Sequence, residues 1–276
     1  MPPKAKVPDF GSHDYWDQRF TANTVPFDWL TAPDALDSLI ADALSTLGEE
    51  QPQILHIGCG SSLLSQHLKT HVQHARQVHN VDYSKIVIDA EQERELEALG
   101  GDVSACTRWD AVDLLDHASL VETCGCGVYS VVVDKSTSDA ISCGEDQICR
   151  LPYAVTLKRR TSTSNMVDTK PREVLTHPLQ LLAVHLALAT KPGARWIALS
   201  YSSERYPFLE GEAATHKEEG TADTGMPDPR LLWTMVSKHR IEAKEQEDQG
   251  AVTHRPKVYH WVYILQRTNT RLVVNA

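Results

Sequence analysis

Residues 54–65 read ILHIGCGSSLLS and carry the clearest structural signal in the chain. The apolar run before Gly58 is typical of a buried strand, and the G-x-G of Gly58 and Gly60 is typical of a tight turn into a helix. In an open parallel sheet, ligands bind where such a turn leads from the carboxyl end of a strand to a helix N-terminus. The stretch therefore predicts a strand, a ligand-binding turn and a helix, in that order.

Helical and strand patterns alternate on both sides of this turn. Helical spacing of apolar residues predicts helices over 13–20, 33–47, 62–70, 84–99, 178–190 and 229–239. Short apolar or β-branched runs predict further strands over 76–82, 103–108, 127–133, 194–202 and 258–267. Strands alternating with helices of this length indicate βαβ units, and thus an α/β fold whose parallel sheet is covered on both faces.

The pattern predicts a single domain over residues 13–276. A disordered lead is expected over 1–12, and residues 13–48 are expected to form an N-terminal cap segment on that domain. Two polar stretches, 143–172 and 203–227, interrupt the alternation and are interpreted as loop insertions. Loops of this length are either functional lids or disordered segments, and the sequence leaves both possibilities open.

Composition narrows the class of partner. The chain has 276 residues, with 27 Lys and Arg against 37 Asp and Glu, which gives a net charge of −10. So acidic a chain is unsuited to a phosphate backbone but compatible with a basic protein or a cationic small molecule, so we expect no nucleic-acid partner. No apolar run approaches the ~18 residues of a membrane span. Six scattered cysteines are typical of free thiols in a reducing compartment, so we expect a cytoplasmic protein. We also expect a monomer.

An acidic residue follows the second predicted strand. Asp82 stands 22 residues after Gly60, a spacing that suits hydrogen bonds to ribose hydroxyls, although the same carboxylate could instead cap the helix that begins near Ser84. A dinucleotide fingerprint needs a third glycine, and Leu63 stands in its place. The pattern therefore favours a nucleoside cofactor without a pyrophosphate, S-adenosylmethionine (product S-adenosylhomocysteine), over NAD or FAD.

Several longer segments resemble one family. They are DYWDQRF (14–20), FDWL (27–30), ILHIGCGSSLLSQHL (54–68), NVDYSKIVID (80–89), RWDAVDLL (108–115) and VVVDKSTSDAI (131–141). Together they resemble the class I S-adenosylmethionine-dependent methyltransferases, and within these the group that contains the elongation factor 1-alpha lysine methyltransferases. The resemblance implies a Rossmann-like, mostly parallel seven-stranded sheet whose last strand is antiparallel.

The resemblance also implies roles for individual residues. Those expected to bind the cofactor are Gly58, Cys59 and Gly60 at the methionine part, Asp82 at the ribose, Tyr83, Asp110 and Ala111 at the adenine, Asp134 near the methyl group, and Trp16 and Arg19 from the cap segment. Those expected to border or orient the acceptor, and thus to be catalytic, are Asp134, Lys135 and Asp139. The group often has Gly at position 136 and Leu at 138, where this chain has serine, so the departures lie near the acceptor.

The activity implied is methyl transfer to a lysine amine of a protein, for instance a translation factor. Two alternatives stay open: a small-molecule N-, O- or S-methyltransferase, and a module that binds the cofactor without catalysis. The cysteine spacing matches no familiar zinc pattern. His67, His71 and His74 are helically spaced but stand near polar residues, so we expect them to be solvated and predict no metal site.

Overall fold

A computed structural model describes residues 8–150, 173–210, 227–243 and 257–272. Its helices are α1 (His13–Ala22), α2 (Asp37–Leu47), α3 (Leu64–His67), α4 (Lys85–Ala98), α5 (His117–Cys124), α6 (Thr137–Ile141), α7 (Pro178–Ala189) and α8 (Pro229–Leu232). Its strands are β1 (Ile54–Ile57), β2 (Val78–Asp82), β3 (Arg108–Ala111), β4 (Tyr129–Lys135), β5 (Gln147–Arg150), β6 (Glu173–Thr176), β7 (Thr190–Ser200), β8 (Trp233–Glu242) and β9 (Tyr259–Arg267).

Seven strands form one sheet in the order β3-β2-β1-β4-β7-β9-β8. The pairs β3–β2, β2–β1, β1–β4 and β4–β7 are parallel, whereas β9 is antiparallel to both β7 and β8. Strands β5 and β6 form a separate antiparallel hairpin. The predicted fold, a mostly parallel seven-stranded sheet with an antiparallel last strand, is confirmed.

Apolar residues bury both faces of the sheet. Every residue of β1 and β4 is buried, as expected for central strands covered on two sides. On one face lies α7, in which every residue except Gln180 is buried. On the other, Leu36 and Ile40 pack with Leu64 and Leu68. The core therefore holds the carboxyl ends of β1, β2, β3, β4 and β7 along one edge of the sheet.

Two predicted elements differ from the structure. Residues 229–239 form only the short helix α8 before β8 begins at Trp233. Pairing with β9, from Trp233 opposite Arg267 to Glu242 opposite Tyr259, overrides the helical spacing. Strand β3 covers 108–111 rather than 103–108, because residues 103–105 form a 3-10 turn that Asp102 caps by accepting a hydrogen bond from the Ser104 N–H.

The predicted lead and loop insertions are described only in part. Residues 8–12 are placed, and the ring of Phe10 lies 6.0 Å from that of Trp29, so this half of the expected lead packs on the domain. Residues 1–7, 151–172 and 211–226 lie outside the described residues. Within the described ranges, no helix combines the length and the hydropathy needed to cross a membrane.

Candidate active site

The glycine turn after β1 has the geometry that its sequence predicts. Gly58 and Gly60 have φ angles of +52° and +49°, in the left-handed region that favours glycine. A Cβ atom on Gly58 would lie 2.3 Å from Thr137 Oγ1, so the turn also needs glycine for its contact with α6. The Thr137 hydroxyl donates a hydrogen bond to the carbonyl of Ile57 at 2.8 Å. The turn is therefore held against the start of the helix that follows β4.

Asp82 joins two turns at the carboxyl ends of β1 and β2. Its Oδ2 accepts a hydrogen bond from the Gly60 N–H at 3.0 Å, and its Oδ1 accepts one from the Ser84 N–H at 3.0 Å. Burial raises the pKa of the Asp82 carboxyl to about 6, although both N–H groups favour its ionised form. The alternative that Asp82 supports the start of α4 is thus correct, but the same carboxylate also lines a cavity.

The N-terminal segment contributes an aromatic cluster with one cation. The Trp16 indole donates a hydrogen bond to the Phe10 carbonyl at 2.8 Å and stacks on Phe20 at a ring distance of 5.8 Å. The Arg19 guanidinium lies 5.1 Å from the Phe27 ring centroid and 5.4 Å from that of Trp29. Within the described ranges its guanidinium has no hydrogen bond or ion pair. Arg19 is therefore able to bind an anion.

A cavity of about 690 Å³ lies between this segment and the carboxyl edge of the sheet. Its walls come from the N-terminal segment, from the residues after β1 to β4, and from Tyr201 after β7. The lining residues include Trp16, Arg19, Phe27 and Trp29; Gly58, Cys59 and Gly60; Asp82 and Tyr83; residues 112–115; and Lys135, Thr137 and Asp139. An elongated ligand can thus contact the carboxyl ends of five strands at once.

At the end of β4, the Asp134 carboxylate is hydrogen-bonded to groups of the protein itself. Its carboxylate is fully buried and accepts hydrogen bonds from the Thr137 and Ser138 N–H groups at 2.9 and 3.2 Å and from the Ser138 hydroxyl. Burial raises the pKa of Asp134 to about 6. The Asp134 side chain therefore supports the start of α6, and Asp134 does not line the cavity.

Asp139 and Lys135 line the cavity, but each is ion-paired. Asp139 accepts hydrogen bonds from the Ser200 hydroxyl at 2.5 Å and the Tyr201 N–H at 3.1 Å, and pairs with the Arg205 guanidinium at 2.8 Å. Lys135 Nζ pairs with Asp28 of the N-terminal segment, and burial lowers the pKa of the ammonium group. Asp134 thus does not reach the cavity, Asp139 reaches it with both oxygens already hydrogen-bonded to the protein, and Lys135 joins two walls of the cavity.

Comparison with known proteins identifies the family. The chain is 35% identical over 228 residues to methyltransferase srdJ of Neurospora crassa, a match that covers 82% of each chain. The fold is that of a crystal structure of an S-adenosylmethionine-dependent methyltransferase from Anabaena variabilis, with a TM-score of 0.50 at 10% identity over 97% of each chain. The chain belongs to the S-adenosylmethionine-dependent methyltransferases.

A second relative has a named protein substrate. The chain is 31% identical over 127 residues to the human mitochondrial citrate synthase-lysine N-methyltransferase, which covers 44% of this chain and 52% of that relative. No protein-family model matches the chain. The relatives show a methyltransferase, and the fold is that of an S-adenosylmethionine-dependent enzyme, but the relatives leave the acceptor open.

The cavity walls fit this cofactor. The Arg19 guanidinium without a described partner suits a carboxylate, and a buried Asp82 carboxylate beside two turns suits a pair of hydroxyl donors. Tyr83 presents a flat wall whose hydroxyl donates a hydrogen bond to the Ser12 carbonyl at 3.1 Å. S-adenosylmethionine carries a carboxylate, a ribose and an adenine, so the cavity has a complementary group for each of these three.

Three of the expected cofactor residues are absent from the cavity wall, namely Asp134 and the two on the adenine side. Asp110 and Ala111 lie within β3, and Asp110 Oδ2 instead lies 2.8 Å from Nε2 of His79 on β2. The residues that follow β3 line the cavity in their place, among them Asp113. The carboxylate after this strand is therefore Asp113, which the sequence analysis missed because it ended β3 at residue 108.

The sequence analysis also missed Asp28 and Arg205. Each pairs with a residue that it did single out, Asp28 with Lys135 and Arg205 with Asp139. The partners of the first pair are 107 positions apart. No spacing pattern within one strand or helix signals either pair. Asp28 lies in the FDWL segment, which the sequence analysis noted only for its resemblance to a family.

Proposed function

We propose that this methyltransferase transfers a methyl group to a lysine amine of a basic protein. The observation that carries the proposal is Tyr201, which lines the cavity beside β7 while 57% exposed, so the aromatic wall there reaches the protein surface. A lysine side chain is long enough to enter such a mouth from another protein. The net charge of −10 and the similarity to a lysine methyltransferase support the same acceptor.

We further propose how the chain holds its cofactor. The Gly58, Cys59 and Gly60 backbone contacts the methionine part, Arg19 pairs with its carboxylate, and Asp82 accepts hydrogen bonds from the ribose. Tyr83 and Asp113, rather than Asp110 and Ala111, contact the adenine. Trp16, through its contacts with Phe10 and Phe20, keeps the segment over the cavity. Bound there, S-adenosylmethionine supplies an activated methyl group on a sulfonium.

The residues around the acceptor provide alignment and a dry environment rather than a general base. Asp134 and Asp139 already accept several hydrogen bonds each from the protein, so neither is proposed to take a proton. The aromatic rings that line the cavity, Trp29 and Tyr201 among them, disfavour a charged amine and thereby lower its pKa, which favours the neutral nucleophile. Aromatic rings also stabilise the methylated ammonium that forms. The main contribution is therefore positioning.

A small-molecule acceptor is the second candidate. Phe10, Trp16, Phe27 and Trp29 line one wall of the cavity, and such an aromatic wall can also enclose a compact apolar compound. The relative that matches 82% of this chain has a name that specifies no acceptor, whereas the lysine methyltransferase matches 44%. A binding module without catalysis is the remaining alternative.

Radiolabelled methyl transfer separates these candidates. The purified chain is incubated with methyl-labelled S-adenosylmethionine and cell extract that has been split by ultrafiltration into macromolecules and small molecules. We expect label in the macromolecular fraction that is released as methyllysine on acid hydrolysis. Label confined to the small-molecule fraction would assign the second candidate, and cofactor binding without label in either fraction would favour the binding module. The cytoplasmic location and the monomeric state are proposals, which imaging of a tagged chain and light scattering would test.

A further inference from the structure

Two histidines and one aspartate converge where the start of α2 meets the end of α3. His67 ends α3, His71 follows one turn later, and Asp37 begins α2. His67 Nε2 lies 2.6 Å and His71 Nε2 lies 3.0 Å from the same atom, Asp37 Oδ1. The expectation that the three helically spaced histidines are solvated holds for the exposed His74, but the His71 side chain is only 12% exposed.

The spacing of the three ligand atoms is close to that of a metal site. All three atoms, one from each side chain, lie within 4.8 Å of one another. Around a tetrahedral Zn²⁺ with bonds of about 2.0–2.1 Å, ligand atoms stand roughly 3.3 Å apart. For the carboxylate and both imidazoles to share one ion, the nitrogen–oxygen distances of 2.6 Å and 3.0 Å therefore need to open by about 0.7 Å and 0.3 Å.

The three side chains stand on a rigid base. Leu36 and Ile40 beside Asp37 pack with Leu64 and Leu68 beside the histidines, and all four are fully buried in one apolar cluster. The nearest ammonium group on this helix, Lys69, pairs with Glu95 at 2.9 Å instead of with Asp37. The ligands are thus preorganised by packing, as a metal site requires.

We propose that Asp37, His67 and His71 bind a divalent transition metal, with Zn²⁺ the best match. Two imidazoles and a carboxylate are a ligand set that suits zinc and that leaves a position for water. Asp37 is 41% exposed, so solvent reaches that position. The bound ion replaces the two hydrogen bonds and joins α2, which follows the N-terminal segment, to α3, which follows the glycine turn. This proposal does not depend on the acceptor.

The test is calorimetric titration of the full chain with ZnCl₂ after treatment with EDTA. Cys126 and Cys143, the two exposed thiols, are first replaced by serine so that they do not bind the ion. We expect stoichiometric binding with one Zn²⁺ per chain and a higher melting temperature. Asp37→Asn and His71→Gln should each weaken binding at least as much as loss of an outer-shell partner does, about 10- to 100-fold, because the first removes the negative charge of a ligand and the second removes a nitrogen ligand. His74→Gln, a nearby exposed histidine, is the matched control and should leave affinity unchanged.

The outcomes are distinct. Absence of stoichiometric binding to the parent chain overturns the proposal, and so does binding that survives both Asp37→Asn and His71→Gln. Circular dichroism of the metal-free variants shows whether each is folded, and Asp37→Asn keeps the size and an oxygen ligand of an exposed side chain. X-ray absorption at the zinc edge should show nitrogen and oxygen ligands, and sulfur ligands would place the ion elsewhere.

Discussion

Lys135 and Asp28 form an ion pair in which the side chains are only 3% and 16% exposed. Lys135 ends β4, whereas Asp28 belongs to the N-terminal segment and lies 107 positions earlier. Asp28 Oδ1 also accepts a hydrogen bond from the Ser62 hydroxyl, at 2.5 Å, just after the glycine turn. A single carboxylate therefore holds the aromatic segment to both the glycine turn and the end of β4.

Removing one partner of this pair should be costly. Asp28→Asn leaves a buried ammonium group without its counter-charge, so we expect a loss of about 3–5 kcal/mol in the free energy of unfolding. Replacing both partners, with Asp28→Leu and Lys135→Met, should restore much of that loss. Urea denaturation of Asp28→Leu, of Lys135→Met and of the double variant measures the coupling free energy between the two residues. If the loss in the double variant equals the sum of the two single losses, the two residues do not share an ion pair.

Arg19 should discriminate between ligands with and without a carboxylate. Arg19→Ala is expected to weaken binding of S-adenosylhomocysteine by roughly 10- to 100-fold, since a hydrogen bond to a charged group contributes about 1.5–3 kcal/mol. Binding of methylthioadenosine, which lacks the amino-acid part, should not change. Calorimetry with both ligands makes the comparison. Equal losses for the two ligands would mean that Arg19 acts by packing on Phe27 and Trp29.

Asp82 should make cofactor affinity depend on pH. Its pKa is raised to about 6 by burial, so below that pH the carboxyl is protonated and accepts ribose hydrogen bonds less well. We expect affinity for S-adenosylhomocysteine to fall by up to about tenfold per pH unit below 6 and to be flat above it. Asp82→Asn should bind weakly at every pH, and a retained slope in this variant would assign the titration to another group.

The same shift has a consequence for stability without cofactor. Between about pH 4 and 6 the folded chain holds a proton on Asp82 that the unfolded chain releases, so stability falls as the pH rises through this window. The change for one such carboxyl is at most about 3 kcal/mol. Asp134, whose pKa is also raised to about 6, adds a change of the same sign. Thermal melts of Asp82→Asn and Asp134→Asn across this pH range measure how much each carboxyl contributes to the change in stability.

Asp113 and Asp110 form a matched pair for the adenine side. Asp113→Ala should weaken cofactor binding by about three- to thirtyfold, the equivalent of one lost hydrogen bond. Asp110→Ala should leave affinity unchanged, because that carboxylate is 50% exposed and faces His79. Isothermal titration of both variants decides between them. The opposite ranking would return the adenine contact to Asp110, where the sequence placed it.

Comparing substitutions at Gly58 and Gly100 distinguishes the cost of a steric clash from the cost of backbone strain. Both have positive φ angles, +52° and +63°, but a Cβ atom would meet Thr137 at Gly58 and nothing within 4 Å at Gly100. Gly100→Ala should cost only about 1–2 kcal/mol of left-handed strain. Gly58→Ala should cost several kcal/mol more or prevent folding, as measured by soluble yield and urea denaturation. Equal costs would show that Thr137 moves aside.

Elements with a strong local pattern were predictable. The apolar ILHI of β1, the G-x-G turn and the buried α7 each depend on residues close together in sequence, and all three are present. Residues 229–239 were not predictable in the same way, because their apolar spacing suits a helix and only pairing with β9 makes 233–242 a strand. The predicted end of β3 fell three residues short of the observed one, so the prediction took Asp110, which lies within the strand, for the carboxylate after it, whereas Asp113 is the one that lines the cavity.

Local pattern was thus sufficient for most of the alternating helices and strands, the glycine turn and the carboxylate that ends β2. The tertiary structure alone determined which side chains remain free to act. Asp134 and Asp139 are candidates for orienting an amine from the sequence, yet Ser138, Ser200 and Arg205 donate hydrogen bonds to their oxygens. Arg19, by contrast, keeps its guanidinium available in the cavity. These hydrogen bonds and ion pairs depend on which distant residues the sheet brings into contact. The spacing of residues along one strand or helix carries no information about such contacts.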